Sequence, residues 1–113
     1  MEYKVKTTKT FEKEIKRLSK HYASIADDYA QLLNDLYANP QLGTDLGGGL
    51  RKVRMRITSK GKGKSGDARV ITFTVVVAVE ESEINLLYIY DKSKRESITH
   101  NEIDELLRKN GLK

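Results

Sequence analysis

The segment LRKVRMRITSKGKGKSGDAR, residues 50–69, is the stretch around which the rest of the chain is organised. Residues 51–69 hold eight lysines and arginines and one acid, Asp67, out of 21 basic side chains in the whole protein. From Lys52 to Ile57, charged and apolar residues alternate, which is the period of a half-buried β-strand. The pattern therefore predicts a folded basic surface and not a disordered basic tail.

The same alternation predicts two different faces for this strand. Its apolar residues would face a core, while its basic residues would stand on the other face, about 6.5–7 Å apart because same-face neighbours are two residues along. The basic row consists of Lys52, Arg54 and Arg56. This spacing is close to the step between phosphates on one nucleic-acid strand, so the row predicts an anionic partner.

The flanking sequence predicts an α+β fold with the order βααβββα. Before the basic strand we expect a strand at residues 2–7, a helix with its apolar stripe at residues 11–22 and a cap at Thr8 or Thr10, a second helix at about residues 24–38, and a flexible connection at residues 43–49. After it we expect strands at residues 68–79 and 84–91 and a final helix that starts with a Thr99 to Glu102 capping box. The basic strand itself would run from Leu50 to about Thr58, and a loop would follow over residues 59–67. Short connections between successive strands predict an antiparallel sheet, with the first two helices on one side, in a single domain spanning residues 1–113.

Composition excludes several classes of protein. The chain has no cysteine, so it has neither disulfides nor thiolate metal sites. Its longest aliphatic run, residues 75–79, is too short to cross a bilayer, and residues 1–16 contain no apolar leader segment. We therefore expect a cytoplasmic protein with no membrane partner. The net charge of +5 fits a nucleic acid, a ribosomal surface or an acidic protein as partner.

Known catalytic motifs are likewise missing from the sequence. Gly63-Lys64-Ser65 is not a phosphate-binding loop, because position 58 is threonine and a strand is predicted to follow. His21 and His100 have no acid at metal-ligand spacing, so we expect no metal and no cofactor. No serine lies in a recognisable nucleophile motif. A site built mainly of cations suits phosphodiester cleavage in RNA, because the ribose 2′-hydroxyl supplies the nucleophile.

Several segments together resemble the RelE/ParE toxin superfamily, and most closely its RelE/HigB-like branch. They are NPQLGTDL (39–46), GLRKVRMRI (49–57), SKGKGKSGDARVI (59–71) and LLYIYDKSKRES (86–97), followed by the capped helix. The resemblance covers nearly the whole chain. It implies a type II toxin with a small RNase-like α/β domain, which acts in the ribosomal A site by cutting mRNA and is held inactive by a cognate antitoxin.

The resemblance also implies roles for individual residues. Lys52 and Arg54 match the paired catalytic cations of the family, Arg69 matches its phosphate-clamping arginine, and Lys92 matches the basic position after the last strand. Crowding by like charges disfavours a protonated lysine. We therefore expect Lys52 or Lys92 to act as the base, with His100 or a second lysine as the acid.

The other basic residues near this segment are predicted to bind RNA without taking part in the chemistry. They are Arg56, Lys60, Lys62, Lys64, Lys94 and Arg95. Tyr88 and Tyr90 are predicted to pack in the core rather than to stack on bases. Strict alternation places Arg69 on the same face as apolar Ile71, so either its strand is covered on both faces or its first residue is twisted towards the site.

Three functions fit this pattern. The first is a ribosome-dependent mRNA endoribonuclease that inhibits translation. The second is a ParE-like toxin that poisons DNA gyrase without chemistry of its own, although such a toxin has no need of a phosphate-binding cluster. The third is a degenerate member that only binds nucleic acid or its antitoxin.

Overall fold

The chain folds as a mixed β-sheet with helices on both faces. A computed structural model describes residues 2–61 and 66–113. The elements in these two ranges are β1 (Glu2–Thr7), α1 (Lys9–His21), α2 (Ile25–Ala38), β2 (Thr44–Gly47), β3 (Leu50–Met55), a 3-10 turn (Thr58–Lys60), β4 (Ala68–Ala78), β5 (Glu81–Asp91) and α3 (His100–Lys109). The strands lie in the order β1-β5-β4-β3-β2, with β1 parallel to β5 and the other neighbours antiparallel.

Each face of the sheet has its own hydrophobic core. On one face α1 and α2 bury residues such as Phe11 and Leu36 against Val70 of β4. On the other face α3 buries Ile103 against Ile71, the next residue of β4. Because successive side chains of a strand point to opposite faces, β4 is buried on both sides.

The α+β class, the three helices and the β3–β4–β5 meander confirm the predicted fold. The hydroxyl of Thr8 accepts a hydrogen bond from the Phe11 amide at 3.1 Å, so Thr8 is the cap of α1. The capping box of α3 is also present, with the Thr99 hydroxyl 3.2 Å from the Glu102 amide and the Glu102 carboxylate 3.1 Å from the Thr99 amide. The sheet as a whole is mixed, because β1 adds in parallel to β5.

The prediction of a flexible connection over residues 43–49 is wrong, because these residues contain β2 and its turn into β3. Two of the four glycines, Gly43 and Gly49, allow close packing there. A Cβ on Gly43 would lie 2.4 Å from the Lys52 carbonyl oxygen, and one on Gly49 would lie 2.8 Å from that of Thr74. The Arg51 guanidinium also donates to the carbonyl oxygen of Gln41 at 2.9 Å. The glycine-rich segment is thus an ordered hairpin on the outer side of β3.

The basic strand is shorter than predicted, since β3 ends at Met55 and not near Thr58. Two side-chain contacts replace the backbone ladder beyond that point. The Ile57 amide donates to the Asp67 carboxylate at 3.2 Å, and the Thr58 amide donates to Asp28 of α2 at 3.0 Å. Arg56 therefore lies beyond the end of the strand.

Candidate active site

The cations Lys52, Arg54 and Arg69 lie on one face of the sheet. Arg54 of β3 is directly opposite Arg69 of β4, and Lys52 is opposite Ile71. Directly opposed residues of antiparallel strands project to the same face. Since Ile71 belongs to the core under α3, the three cations share the α3 side of the sheet.

The structure decides which of the two arrangements of Arg69 is correct. The neighbouring Ala68 and Val70 pack under α1 and α2, and Ile71 packs under α3, so β4 is covered on both faces. Arg69 is half-buried, and its guanidinium donates to the Ala68 carbonyl oxygen at 3.2 Å. The Arg54 side chain is 45% exposed. Both arginines thus belong to the α3 face without a twist of the strand.

Asp67 is the acid that organises this cluster, a role that the sequence did not reveal. The residue is 4% exposed. One carboxylate oxygen accepts from the Ile57 amide, and the other lies 3.7 Å from Nε of Arg54. Its carbonyl oxygen accepts from the Lys92 amide at 3.1 Å. Asp67 therefore joins the end of β3, the start of β4 and the turn after β5, in which Lys92 lies.

Arg95 lies over the tyrosines that border the cluster. Its guanidinium carbon is 5.7 Å from the ring centre of Tyr88 and 6.0 Å from that of Tyr90. The guanidinium also pairs with Glu102 of α3. Tyr90 is 5% exposed and belongs to the core. Burial raises the pKa of Tyr90, although the charges of Arg69 and Arg95 oppose this shift. The position of Tyr90 agrees with a packing role, and Arg95 attaches α3 to the sheet.

Lys60, which we predicted to contact RNA, is held in a buried ion pair instead. Its side chain is 9% exposed, and Nζ lies 2.7 Å from the Asp91 carboxylate and 4.9 Å from the ring centre of Tyr22. Burial alone would raise the pKa of Asp91, but hydrogen bonds from Lys60, Tyr22 and Ser93 outweigh it and lower the pKa to about 2. We call these four residues the Asp91 anchor. No simple sequence pattern pointed to it, because its members are up to 71 positions apart.

The remaining predicted site residues are dispersed. Arg56 is exposed and lines a cleft of about 450 Å³ between α2 and the end of β3. Lys94 is exposed in the turn after β5, and His100 is exposed at the first position of α3. The predicted RNA contacts Lys62 and Lys64 lie outside the described residues.

Lys52, Arg54 and Arg69 concentrate positive charge on one face of the sheet. Within residues 2–61 and 66–113, no group of three or more histidine, aspartate or glutamate side chains could hold a metal ion. Guanidinium pairs bind phosphate oxygens through several parallel hydrogen bonds. The cluster is therefore suited to holding a phosphate and neutralising charge that develops on it.

Comparison with known protein families identifies the group to which this sequence belongs. The model of the RelE family, described as the RelE toxin of the RelE / RelB toxin–antitoxin system, matches residues 3–111. The chain belongs to the RelE toxin family. It is accordingly a toxin of a toxin–antitoxin system and has an antitoxin as its partner. The narrower assignment to a HigB-like branch stays a prediction. Within residues 2–61 and 66–113, no helix is long and apolar enough to cross a membrane.

Proposed function

We propose that this RelE family toxin is a ribosome-dependent mRNA endoribonuclease, formed by residues 1–113 as one domain. The observation that carries the proposal is that Arg54 of β3 lies directly opposite Arg69 of β4, with Lys52 on the same face. Directly opposed side chains have Cβ atoms about 4.5–5.5 Å apart, so both guanidinium groups can reach one phosphate. The substrate would be mRNA in the ribosomal A site.

The proposed reaction uses the ribose 2′-hydroxyl as nucleophile and needs no metal ion. Its oxygen attacks the adjacent phosphorus while the bond to the 5′-oxygen of the next nucleotide breaks, which leaves a 2′,3′-cyclic phosphate and a 5′-hydroxyl. Lys52 or Lys92 would accept the proton of the 2′-hydroxyl, and His100 or a second lysine would protonate the leaving oxygen. Arg54 and Arg69 would stabilise the negative charge on the pentacoordinate phosphorus.

The other cations differ in how well they suit RNA contact. Arg56 and Lys94 are exposed, and we propose that they bind the RNA backbone beside the cleavage site. Lys60 and Arg95 are engaged with Asp91 and Glu102, so we assign them to the support of the site. The residues to test in the reaction itself are therefore Lys52, Arg54, Arg69 and Lys92.

The test is single-turnover cleavage of mRNA on programmed ribosomes. Arg54→Ala and Arg69→Ala should each reduce the cleavage rate by about ten- to a thousandfold, which is the range for removing one charge-stabilising donor. Lys4→Ala is the control, because Lys4 is an exposed residue of the edge strand β1, two strands away from β4. Its ion pair within residues 2–61 and 66–113 is with Glu81 of β5. Unchanged cleavage in both arginine variants would refute the proposed active site. Lys52→Ala and Lys92→Ala then test the base, and activity in both would exclude that assignment.

A further inference from the structure

Asp67 is the buried acid of the candidate active site, and the proposed reaction gives it no role. The residue is 4% exposed. A carboxylate without partners is costly to bury, so its contacts show what keeps its charge in place. The Ile57 amide donates to one carboxylate oxygen at 3.2 Å, and Nε of Arg54 lies 3.7 Å from the other. A fixed, buried acid thus lies next to an arginine whose side chain is 45% exposed.

This contact engages one end of the Arg54 guanidinium and leaves the other end to a ligand. The ion pair joins Nε to the Asp67 carboxylate, at a distance longer than that of a hydrogen bond. The guanidinium is a planar fork whose remaining donors are on the terminal Nη atoms. These atoms can bind phosphate oxygens through parallel hydrogen bonds. The position of Asp67 therefore favours one direction of the fork, with its Nη groups available to a phosphate.

Other neighbours of Arg54 favour a different direction. Arg54 lines the cleft of about 450 Å³ whose α2 wall carries Asp27 and Asp35, both exposed. Directly opposite Arg54 stands Arg69, and like charges at opposed positions of neighbouring strands repel each other. Attraction by the α2 acids and repulsion by Arg69 would both turn the Arg54 guanidinium away from its partner. Asp67 is the acid in contact with Arg54 that opposes this movement.

The contacts of Asp67 can be separated by mutation. Its main-chain carbonyl oxygen accepts from the Lys92 amide at 3.1 Å, and this bond does not depend on the side chain. An asparagine at position 67 keeps an oxygen that can accept from the Ile57 amide. It lacks the negative charge that attracts Arg54. Asp67→Asn therefore isolates the effect of this charge on the arginine.

We propose that Asp67 is a positioning residue, which holds the Arg54 guanidinium beside that of Arg69 so that both face one phosphate. The proposal deepens the proposed function and rests on it. Asp67 does not touch the reacting atoms and acts through Arg54. Because its negative charge lies within a group of cations, it also reduces their attraction for RNA. Asp67 therefore increases the rate of cleavage and not the affinity for the substrate.

The experiment compares Asp67→Asn with Asp28→Asn. Asp28 is a matched control, because it is also buried, at 8% exposure, and also accepts from the main chain beyond β3, at the Thr58 amide. Single-turnover cleavage on programmed ribosomes gives the maximal rate and the toxin concentration at half the maximal rate. Asp67→Asn should lower the maximal rate by about ten- to a hundredfold, the effect of a small misplacement of a reacting group. The half-maximal concentration should stay constant or fall, and Asp28→Asn should cleave close to the wild-type rate.

A double-variant cycle tests whether Asp67 acts through Arg54. Arg54→Ala/Asp67→Asn should cleave no more slowly than Arg54→Ala alone, because the arginine that Asp67 positions is already gone. Arg54→Lys is a second test that leaves the buried acid in place. It keeps the positive charge but has no planar fork to be directed, so it should lose most of the rate. A wild-type rate in Arg54→Lys would show that charge without orientation is enough, and would overturn the inference.

The outcomes separate this inference from the proposed function. A wild-type rate in Asp67→Asn, or equal losses in Asp67→Asn and Asp28→Asn, would overturn the inference while cleavage by the wild type stands. A further fall in rate when Asp67→Asn is added to Arg54→Ala would overturn it as well. If the wild-type toxin does not cleave mRNA on ribosomes, or if Arg54→Ala cleaves as fast as the wild type, the proposed function and the inference fail together. Urea unfolding checks that each variant is folded at the assay temperature.

Discussion

Asp91 accepts hydrogen bonds from Tyr22, Lys60 and Ser93, and its side chain is only 3% exposed. These contacts lower its pKa to about 2, from an ordinary value of 3.8. A carboxyl whose pKa is lower in the folded protein stabilises the fold above its unfolded pKa and loses that contribution as the pH falls towards its folded pKa. The Asp91 anchor should therefore stabilise the protein at neutral pH and fail in acid.

We predict that Asp91→Asn lowers the free energy of unfolding by about 2 kcal/mol or more at pH 7, since each pKa unit corresponds to about 1.4 kcal/mol. The difference between variant and wild type should shrink between about pH 4 and pH 2, where wild-type Asp91 becomes protonated. Urea unfolding across this pH range provides the measurement. Asp104→Asn, at an exposed ion pair with Lys113, is the control and should change stability much less. A difference that stays constant down to pH 2 would contradict the assignment.

Lys60 marks the limit of sequence reasoning at the scale of single residues. It lies among glycines and lysines in a segment typical of a flexible basic loop, and the sequence predicts that it binds an RNA phosphate. The structure buries it, because Asp91 and Tyr22 come close to it only when the sheet and α1 are assembled. Periodicity detects Lys52 and Arg54, which lie on a regular strand, but it has no information about contacts between distant segments.

At the scale of elements, two glycines of the β2–β3 hairpin distinguish the cost of backbone strain from the cost of lost close packing. Gly48 and Gly49 both have positive φ angles, of 61° and 87°, but only Gly49 lies against another backbone, with the Thr74 oxygen 2.8 Å from a built Cβ. Gly48→Ala should cost about 1 kcal/mol for its left-handed backbone. Gly49→Ala should cost about 1–3 kcal/mol beyond that, because the hairpin must also move away from β4. Thermal or urea unfolding of both variants measures the difference, and equal stability would argue against close packing.

The predicted elements were most accurate where the local signal agreed with the tertiary contacts. Helices α1 and α3 begin directly after the threonines Thr8 and Thr99. A capping side chain bonds to an amide only three residues along, so the local sequence contains this signal. β2 was missed because a four-residue strand beside glycines has no apolar pattern. β3 ended early because Asp67 and Asp28, which are distant in sequence, bind the backbone beyond Met55.

At the scale of the whole molecule, the order of events in a cell distinguishes the proposed nuclease from a gyrase poison. After induction of the toxin, incorporation of labelled amino acids should fall before incorporation of labelled thymidine. Cells that express the Arg69→Ala variant, which lacks a residue of the proposed cleavage site, should grow almost normally under the same induction. The Lys4→Ala control should remain as toxic as the wild type. Replication stopping first would favour the ParE-like alternative.

The family and the broad architecture could be predicted from the sequence because their signals extend over nearly the whole chain, as the match to residues 3–111 shows. The strand alternation also placed Lys52 and Arg54 together, and the register of β3 and β4 adds Arg69 to them. Which cations are held inside the protein could not be predicted. Lys60 is buried against Asp91 and Arg95 pairs with Glu102 of α3, whereas the Arg54 side chain, 3.7 Å from Asp67, stays 45% exposed.

The Asp91 anchor has a practical consequence for genetics. It joins the end of α1, the turn after β3 and the end of β5, so substitutions at Tyr22 or Lys60 weaken the protein from within. A screen for cells that survive induction would recover such folding defects together with substitutions at Arg54 or Arg69 that remove the proposed nuclease activity. Capture of the toxin variants on the antitoxin would separate the two groups. Correctly folded but inactive toxins should still bind the antitoxin, whereas variants of the Asp91 anchor should be degraded before they can be captured.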